Sequence, residues 1–456
     1  MLKPTIFRAY DIRGIADVEL LDPDVADLGR AIGTALIRKG ARSFSLGRDC
    51  RVSSERLHDA LLEGLVSTGL EIYDIGIVPT PLLYYSVFHL ETGGGVMITG
   101  SHNAADYNGF KIMEGTSTIH GEDIQNLYGL IQARDFKMGS AAVNRVDIVK
   151  RYVEEIAGQF DFARRVKVVF DAGNGVAGPV MHRLIEKLNV DAVELYFDMN
   201  GKFPNHHPDP TVPGNLDALI SAVREHKADL GIAFDGDSDR IGAVDEHGRI
   251  VYGDQLMIIY SREILSRKPG AVVIGEVKCS QMMYDDIRKH GGNAIMWKTG
   301  HSLIKAKMKE EHAELAGEMS GHIFFADRYY GFDDALYAAC RLIEIIAKSG
   351  QPLSYQIADL PQTFSTPELR IECSDELKFD VVKKVRAHFA PLYEALAVDG
   401  VRINFPKGWG LVRASNTQPA LVLRFEAETE ALLKTYRAEV EDTVVRASGA
   451  ELRAAH

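Results

Sequence analysis

Cysteine is scarce: Cys50, Cys279, Cys340 and Cys373 are the only four in 456 residues, far apart and in no C-x-x-C or metal-finger spacing. That excludes a disulfide framework and a zinc finger, and points to reduced thiols in a cytoplasmic protein. Cys279, next to Lys278, reads as a bystander rather than a reactive thiol. Long apolar runs are also missing. None approaches the roughly 20 residues that span a bilayer, and Met1-Leu2-Lys3-Pro4-Thr5 carries no apolar signal core, so no membrane association is expected. An excess of basic residues is absent too, with 52 Lys and Arg against 64 Asp and Glu and a net charge of −12. Affinity for a phosphate backbone needs clustered Lys and Arg, so a general nucleic-acid or anionic-membrane binder is excluded. An anionic ligand would have to be drawn by a local cationic cleft against the field of the whole molecule. No internal repeat is visible.

What is present is the composition of an ordinary globular protein, 46% apolar and 25% charged. The length alone suggests about three domains. In the first third, helix and strand signals alternate in the pattern of a layered α/β sheet. Asp22-Pro23 opens a helix that carries Val25, Leu28, Ile32 and Leu36 on one face and stops before Gly40. A helix is expected near 56–66, with strands at 43–46, 71–75 and 95–98. A second unit starts near Asp147, with a strand at 166–170, a helix near 179–188 and a strand at 230–234. A third runs from about Ile250, with a strand at 271–275 and a helix at 334–347. The segment 361–367 reads as a linker to a smaller α+β unit.

The chemistry concentrates first in Asp235-Gly236-Asp237-Ser238-Asp239-Arg240, directly after the apolar stretch Leu230–Phe234. Carboxylates at alternate positions share a face if the backbone stays extended, and Gly236 permits a tight turn that lets them converge. Converging carboxylates must take up protons unless a cation sits among them. Hard oxygen ligands in a small cage suit Mg²⁺, and Arg240 adds donors suited to phosphate. The plain alternative is an acidic turn on a solvated edge. A second segment, Thr99-Gly100-Ser101-His102-Asn103, places a hydroxyl just past a strand end, with His102 and Lys111 near in sequence. A serine needs such company to act as a nucleophile; otherwise it makes a local turn bond. A third, Gly173-Asn174-Gly175-Val176-Ala177-Gly178, has the dinucleotide fingerprint between a strand and a helix, with Glu194 about 20 residues on. It explains none of the acidic, serine or arginine loops, and reads as a tight strand-to-helix turn.

Two further segments complete the set. Gly317-Glu318-Met319-Ser320-Gly321-His322 offers a carboxylate, a hydroxyl and an imidazole suited to sugar hydroxyls. Arg413-Ala414-Ser415-Asn416-Thr417-Gln418-Pro419 offers a cation and short donors suited to a phosphate. With these motifs in this order, from Phe7-Arg8-Ala9-Tyr10-Asp11-Ile12-Arg13-Gly14 onward, the chain resembles the α-D-phosphohexomutase family, and most closely its bacterial bifunctional phosphomannomutase/phosphoglucomutase branch.

The resemblance implies three similar α/β domains with mixed sheets and a smaller α+β C-terminal domain around a central cleft, divided as 1–146, 147–249, 250–361 and 362–456. It implies a phosphorylated Ser101, with Asp235, Asp237, Asp239 and the phosphoserine binding Mg²⁺. Arg13, His102, Lys111, Arg240 and His322 would be catalytic, Lys111 and His322 being the candidates for moving the proton. Tyr10, Lys278 and His301 would line the cleft. Glu318, Ser320 and His322 would hold the sugar, and Arg413, Ser415, Asn416 and Thr417 the unreacting phosphate. The implied partners are hexose monophosphates and bisphosphates, with glucose 1,6-bisphosphate as activator and intermediate, acting on a monomer. Alternatives are phosphoglucosamine mutase, from which Asn416 and the Met319 context lean away, a Mg²⁺-dependent sugar phosphatase with an aspartyl nucleophile, and a non-catalytic sugar-phosphate-binding protein.

Overall fold

The computed structural model describes residues 2–415 and 419–449. Its first sheet runs in the order Ile12–Ile15, Tyr107–Glu114, Gly94–Ile98, Ser43–Arg48, Glu71–Ile77, Val143–Arg145. The strands from Gly94–Ile98 outward are parallel, whereas Tyr107–Glu114 turns back antiparallel to Gly94–Ile98. The second sheet repeats this plan. Parallel strands Val190–Leu195, Val166–Asp171 and Leu230–Phe234 are followed by Ile241–Asp245, antiparallel to the last of them. In the third, Asn293–Trp297, Val272–Glu276 and Leu315–Gly317 are parallel, and Ile323–Phe325 reverses. The fourth sheet is antiparallel throughout, and helices Lys378–Phe389 and Glu430–Ser448 pack on it.

Four units, three with mixed sheets and one with an antiparallel sheet, are therefore present, the fold class that the resemblance implied. Each motif loop sits at the same kind of place, the reversal from one strand into an antiparallel neighbour. Residues 99–106 join Gly94–Ile98 to Tyr107–Glu114, 235–240 join Leu230–Phe234 to Ile241–Asp245, and 318–322 join Leu315–Gly317 to Ile323–Phe325. Such a reversal leaves backbone groups unpaired and aims side chains off the sheet end, where a site can be built.

Local details follow from the sequence with small shifts. Helix Asp22–Arg38 buries Val25, Leu28, Ile32 and Leu36 as the spacing requires, but Asp22 lies inside its first turn and Leu21 stands at the cap without a side-chain bond. Strand Ile250–Val251 pairs with Ala243 and Val244 and so belongs to the second sheet, just past the expected start of the third unit. Within the expected linker, Phe364–Ser365 pairs with Glu426 and Ala427 of the fourth sheet.

Parts of the first three units join in one apolar core, while the first unit also keeps a core of its own around Leu28, Leu46, Leu61 and Phe110. Leu82, Leu83, Tyr84 and Tyr85 of helix Thr80–His89 join Tyr152, Phe170, Leu256 and the wholly buried stretch of helix Ala335–Ser349. The fourth unit has a separate core built on Val401, Phe405, Leu423, Phe425, Val440 and Val444. Its docking onto the third unit combines a small apolar cluster of Val277, Trp409 and Leu411 with polar bonds. Arg402 stacks over Trp409 at 3.8 Å and donates to the carbonyls of Val277 at 2.6 Å and Cys279 at 2.8 Å. No helix among the described residues is long and apolar enough to cross a membrane.

Candidate active site

Ser101 is 2% exposed, with a left-handed backbone at φ 48°. That conformation is costly for a residue with a side chain and is held from several sides. The Ser101 N–H donates to Thr99 Oγ1 at 2.8 Å. The fully buried Arg51 donates to the carbonyls of Ser101 at 2.7 Å, Asn103 at 2.6 Å and Tyr107 at 3.0 Å. Asp49 pairs with Arg51 at 3.2 Å and accepts the Gly100 N–H at 3.1 Å. Neither Asp49 nor Arg51 stood out in the sequence, because their partners lie some 50 residues away and follow no local pattern.

The acidic loop converges by a route other than alternation along an extended strand. Residues 235–238 close a turn, with the Ser238 N–H on the Asp235 carbonyl at 3.1 Å. The left-handed residue is Ser238, at φ 64°, not Gly236. Gly236 serves close approach instead: a Cβ there would lie 2.6 Å from the Ser101 carbonyl oxygen of the other loop. The dinucleotide-like glycines have the same kind of task. A Cβ on Gly175 would lie 2.7 Å from the Gly236 carbonyl, and one on Gly178 would lie 2.1 Å from the Phe197 carbonyl. Glu194, the would-be ribose acid, is paired with His182 at 2.9 Å.

These approaches bring Ser101 Oγ within hydrogen-bond distance of Asp235 Oδ2, at 2.9 Å, and of His102 Nδ1, at 3.2 Å. Asp235, Asp237 and Asp239 are completely buried, and one oxygen from each lies within 4.8 Å of the others. Asp237 Oδ2 accepts from Thr80 Oγ1 at 2.6 Å and Lys111 Nζ at 2.7 Å, and Lys111 also bonds Asp239. Asp237 Oδ1 is buried without a hydrogen-bond partner. An unpartnered carboxylate oxygen in an acidic cage fits a hard divalent cation.

Burial, then repulsion from Asp239 and Asp237, pushes the Asp235 carboxyl well above the usual range. Burial opposes ionisation of Asp239 as well, but Lys111 and His322 hold it well below its ordinary value. Burial works against the Lys111 ammonium, yet the three aspartates raise its pKa, so it is a firmly held cation. His102 is the converse: burial, Arg240 and Arg13 push its ring well below the ordinary value and keep it neutral. For His322, burial is outweighed by Asp239 at 3.2 Å and Glu318 at 2.7 Å, which bring it to about 9. Arg240 Nε also lies 3.3 Å from His322 Nε2, a bond that would need the neutral ring. The two carboxylates are closer and oppositely charged, so the imidazolium prevails.

The other expected residues gather around this centre. Arg13 reaches Asn103 Oδ1 at 3.2 Å and pairs with Asp11. Tyr10 donates to the Thr299 carbonyl at 3.1 Å. His301 opens helix His301–Glu311 and stacks on His322 with ring centres 5.9 Å apart. Burial, with Lys305 and Lys111, keeps the His301 ring neutral. Glu318 is committed to His322 and to the Gly300 N–H at 2.8 Å, and Ser320 Oγ meets His322 Nδ1 at 3.1 Å. Lys278 is paired with Glu368 at 3.1 Å and Arg413 with Asp399 at 3.0 Å, partners unforeseen in the sequence. Ser415 is buried, its carbonyl accepting from Lys378 Nζ at 2.6 Å, while Asn416 and Thr417 lie outside the described residues. Cys279 is fully buried and its thiol is pushed well up by that burial, an inert neighbour as expected.

Family profiles described as phosphoglucomutase/phosphomannomutase alpha/beta/alpha domains I, II and III match residues 4–138, 150–248 and 252–364, and the corresponding C-terminal domain matches 368–443. The chain belongs to the phosphoglucomutase/phosphomannomutase family. Among its relatives, the phosphomannomutase/phosphoglucomutase of Pseudomonas putida is 48% identical, covering 95% of this chain and 94% of that one. A phosphoglucomutase from Neisseria gonorrhoeae is 45% identical over 94% of both. A crystal structure of a phosphoglucomutase/phosphomannomutase family protein from Burkholderia thailandensis superposes with a TM-score of 0.94 at 42% identity, covering 99% of this chain and all of that one. Each profile covers most of the strands of one of the four sheets.

Proposed function

We propose that this chain interconverts the 1- and 6-phosphates of glucose and of mannose through a phosphoserine at Ser101 and a hexose 1,6-bisphosphate. One observation carries the reading: a buried, strained serine hydroxyl lies 2.9 Å from one of three convergent aspartates, with a lysine ammonium bridging the other two. The names of the relatives support it.

Phosphoryl transfer depends on positioning and charge neutralisation more than on covalent chemistry from the protein. In the forward half-reaction a sugar hydroxyl oxygen bonds to the phosphorus on Ser101 while the bond from phosphorus to Oγ breaks, the hydroxyl gives up its proton and the departing Oγ takes one up. The bisphosphate then turns over, and Oγ takes the phosphoryl group from its other end. There the Ser101 proton must leave, and the neutral His102 ring is an acceptor 3.2 Å away. Lys111 and the His322 imidazolium suit the opposite task, donating to an oxygen on which charge develops. Asp235, Asp237 and Asp239 would hold Mg²⁺, which supplies charge neutralisation at the phosphoryl oxygens. Arg13 and Arg240 suit the transferring phosphate. Tyr10, Lys278, His301, Glu318 and Ser320 would contact the sugar, and Arg413 with residues 415–417 the second phosphate. The reading goes with a monomer divided at 146/147, 249/250 and 361/362, working in the cytoplasm to supply sugar 1-phosphates for nucleotide-sugar and polysaccharide synthesis.

The test is phosphorus NMR of the purified protein with glucose 1-phosphate, Mg²⁺ and a trace of glucose 1,6-bisphosphate. A 6-phosphate signal without free phosphate is expected. Release of inorganic phosphate would make it a phosphatase, and turnover of glucosamine 6-phosphate in preference to glucose 1-phosphate would make it a phosphoglucosamine mutase.

A further inference from the structure

Thr299 is held by three different units at once. Its hydroxyl donates to Glu276 Oε2 at 2.9 Å within the third unit, and its carbonyl accepts from Tyr10 of the first at 3.1 Å. Its N–H donates to Asp399 Oδ2 of the fourth at 3.2 Å. The same Asp399 oxygen accepts from Arg413, at 3.1 Å from Nε and 3.0 Å from the terminal nitrogen. Asp399 and Gly400, at φ 84°, form the corner that leads into strand Val401–Phe405. A Cβ on Gly400 would lie 2.4 Å from the Val412 carbonyl, so this corner is pressed against the strand that carries Arg413.

We infer that Asp399 is a positioning residue that latches the fourth unit over the cleft and sets the Arg413 guanidinium for phosphate. The physical grounds are three. A guanidinium on a long side chain has many rotamers, and a carboxylate that takes two of its N–H groups removes most of that freedom before substrate arrives. The outward edge keeps donors for a phosphate, since the fork has five N–H groups and Asp399 engages two nitrogens. The same carboxylate oxygen reaches the Thr299 amide, so the group that aligns Arg413 within the fourth unit is also a point where that unit is seated on the third. The peptide it grips is contiguous with Gly300 and His301, whose contacts include Glu318 and His322. The fourth unit has its own apolar core and meets the third through a small apolar cluster of Val277, Trp409 and Leu411, so polar contacts such as this one contribute to its seating.

This rests on the mutase reading for its kinetic arm but not for its structural one. The experiment compares wild type with Asp399→Ala and Asp399→Asn. Steady-state kinetics on glucose 1-phosphate are combined with small-angle scattering of the substrate-free proteins and a thermal melt. Asp399→Ala is expected to raise KM about tenfold, with kcat changed less than about threefold, as loss of binding shared by ground and transition states requires. It is also expected to enlarge the radius of gyration of the free protein. Asp399→Asn keeps an oxygen for the Thr299 amide, so it should restore the compact scattering profile while recovering only part of the KM. An unchanged KM, or a fall in kcat at unchanged KM, overturns the alignment of Arg413. A wild-type radius in Asp399→Ala overturns the latch. A lowered melting point with wild-type KM and radius reduces Asp399 to a stabilising contact and overturns both. If wild type itself fails to turn over glucose 1-phosphate, the mutase reading falls, while the scattering comparison still decides the latch.

Discussion

Ser101 illustrates how a single residue is made functional by its neighbours. Its left-handed backbone is maintained by Thr99 and by an arginine fifty positions upstream, and its hydroxyl is met by an aspartate from another unit. Ser101→Ala removes the phosphoryl acceptor but leaves the Arg51 cradle, which bonds backbone carbonyls. Mutase activity is therefore expected to fall by on the order of 10³ or more, with the melting temperature within a few degrees of wild type. A variant that keeps a tenth of wild-type turnover would place the nucleophile elsewhere. Ser101, the three aspartates, Lys111 and His322 could all be picked out beforehand, since each belongs to a short motif. Asp49, Arg51, Thr80, Asp399 and Glu368 could not, because what they do depends on a partner distant in sequence.

At the scale of elements, the loops owe their positions to glycines that allow backbones to meet. Gly178, in the first turn of helix Ala177–Lys187, faces the Phe197 carbonyl, where a methyl group would sit 2.1 Å from oxygen. Backbone cannot yield as a flexible side chain can, so Gly178→Ala should destabilise by about 1–3 kcal/mol. Gly129, inside helix Glu122–Ala133, has nothing within 4 Å of an added Cβ. Gly129→Ala should stabilise by about 0.5–1 kcal/mol through helix propensity alone. Paired thermal melts distinguish the two, and equal shifts would show that the close approach at Gly178 is not tight. Strands and helices were largely legible from alternation, helical spacing and caps. The geometry of the acidic loop was not: alternation suggested an extended segment, whereas the turn is made by Ser238 and the bonds it forms.

For the whole molecule, one apolar core runs through parts of the first three units, whereas the fourth has a core of its own and is attached by a small apolar cluster, ion pairs and the Arg402 hydrogen bonds. One of these pairs has a pH signature. Glu368, in the segment entering the fourth unit, is held down to about 2, first by the Lys278 ammonium against the opposing effect of burial. A carboxylate with a folded-state pKa below its unfolded one near 4.5 contributes stability that is complete above that value. The contribution is lost as pH falls from about 4.5 toward about 2. Acid should therefore release the fourth unit before the shared core melts. Limited proteolysis between residues 361 and 368 should accelerate below about pH 4 in wild type. Glu368→Gln should show faster cleavage already at neutral pH with a flatter acid response, and an identical pH profile in the two proteins would rule this pair out as the tether.

The sequence by itself determined the four motif loops, their order, the alternation of strands and helices and the family, because each is written in residues adjacent along the chain. It could not show that the three α/β units share a topology, since hydrogen-bond register and strand direction leave no repeat in side-chain identity. Nor could it show which carboxylate faces which cation. Lys111 between Asp237 and Asp239, His322 between Asp239 and Glu318, and Asp399 between Arg413 and Thr299 are pairings across units. Protonation in a buried cluster is set by distances of a few ångströms and by the water excluded there, and only the packed tertiary structure supplies both.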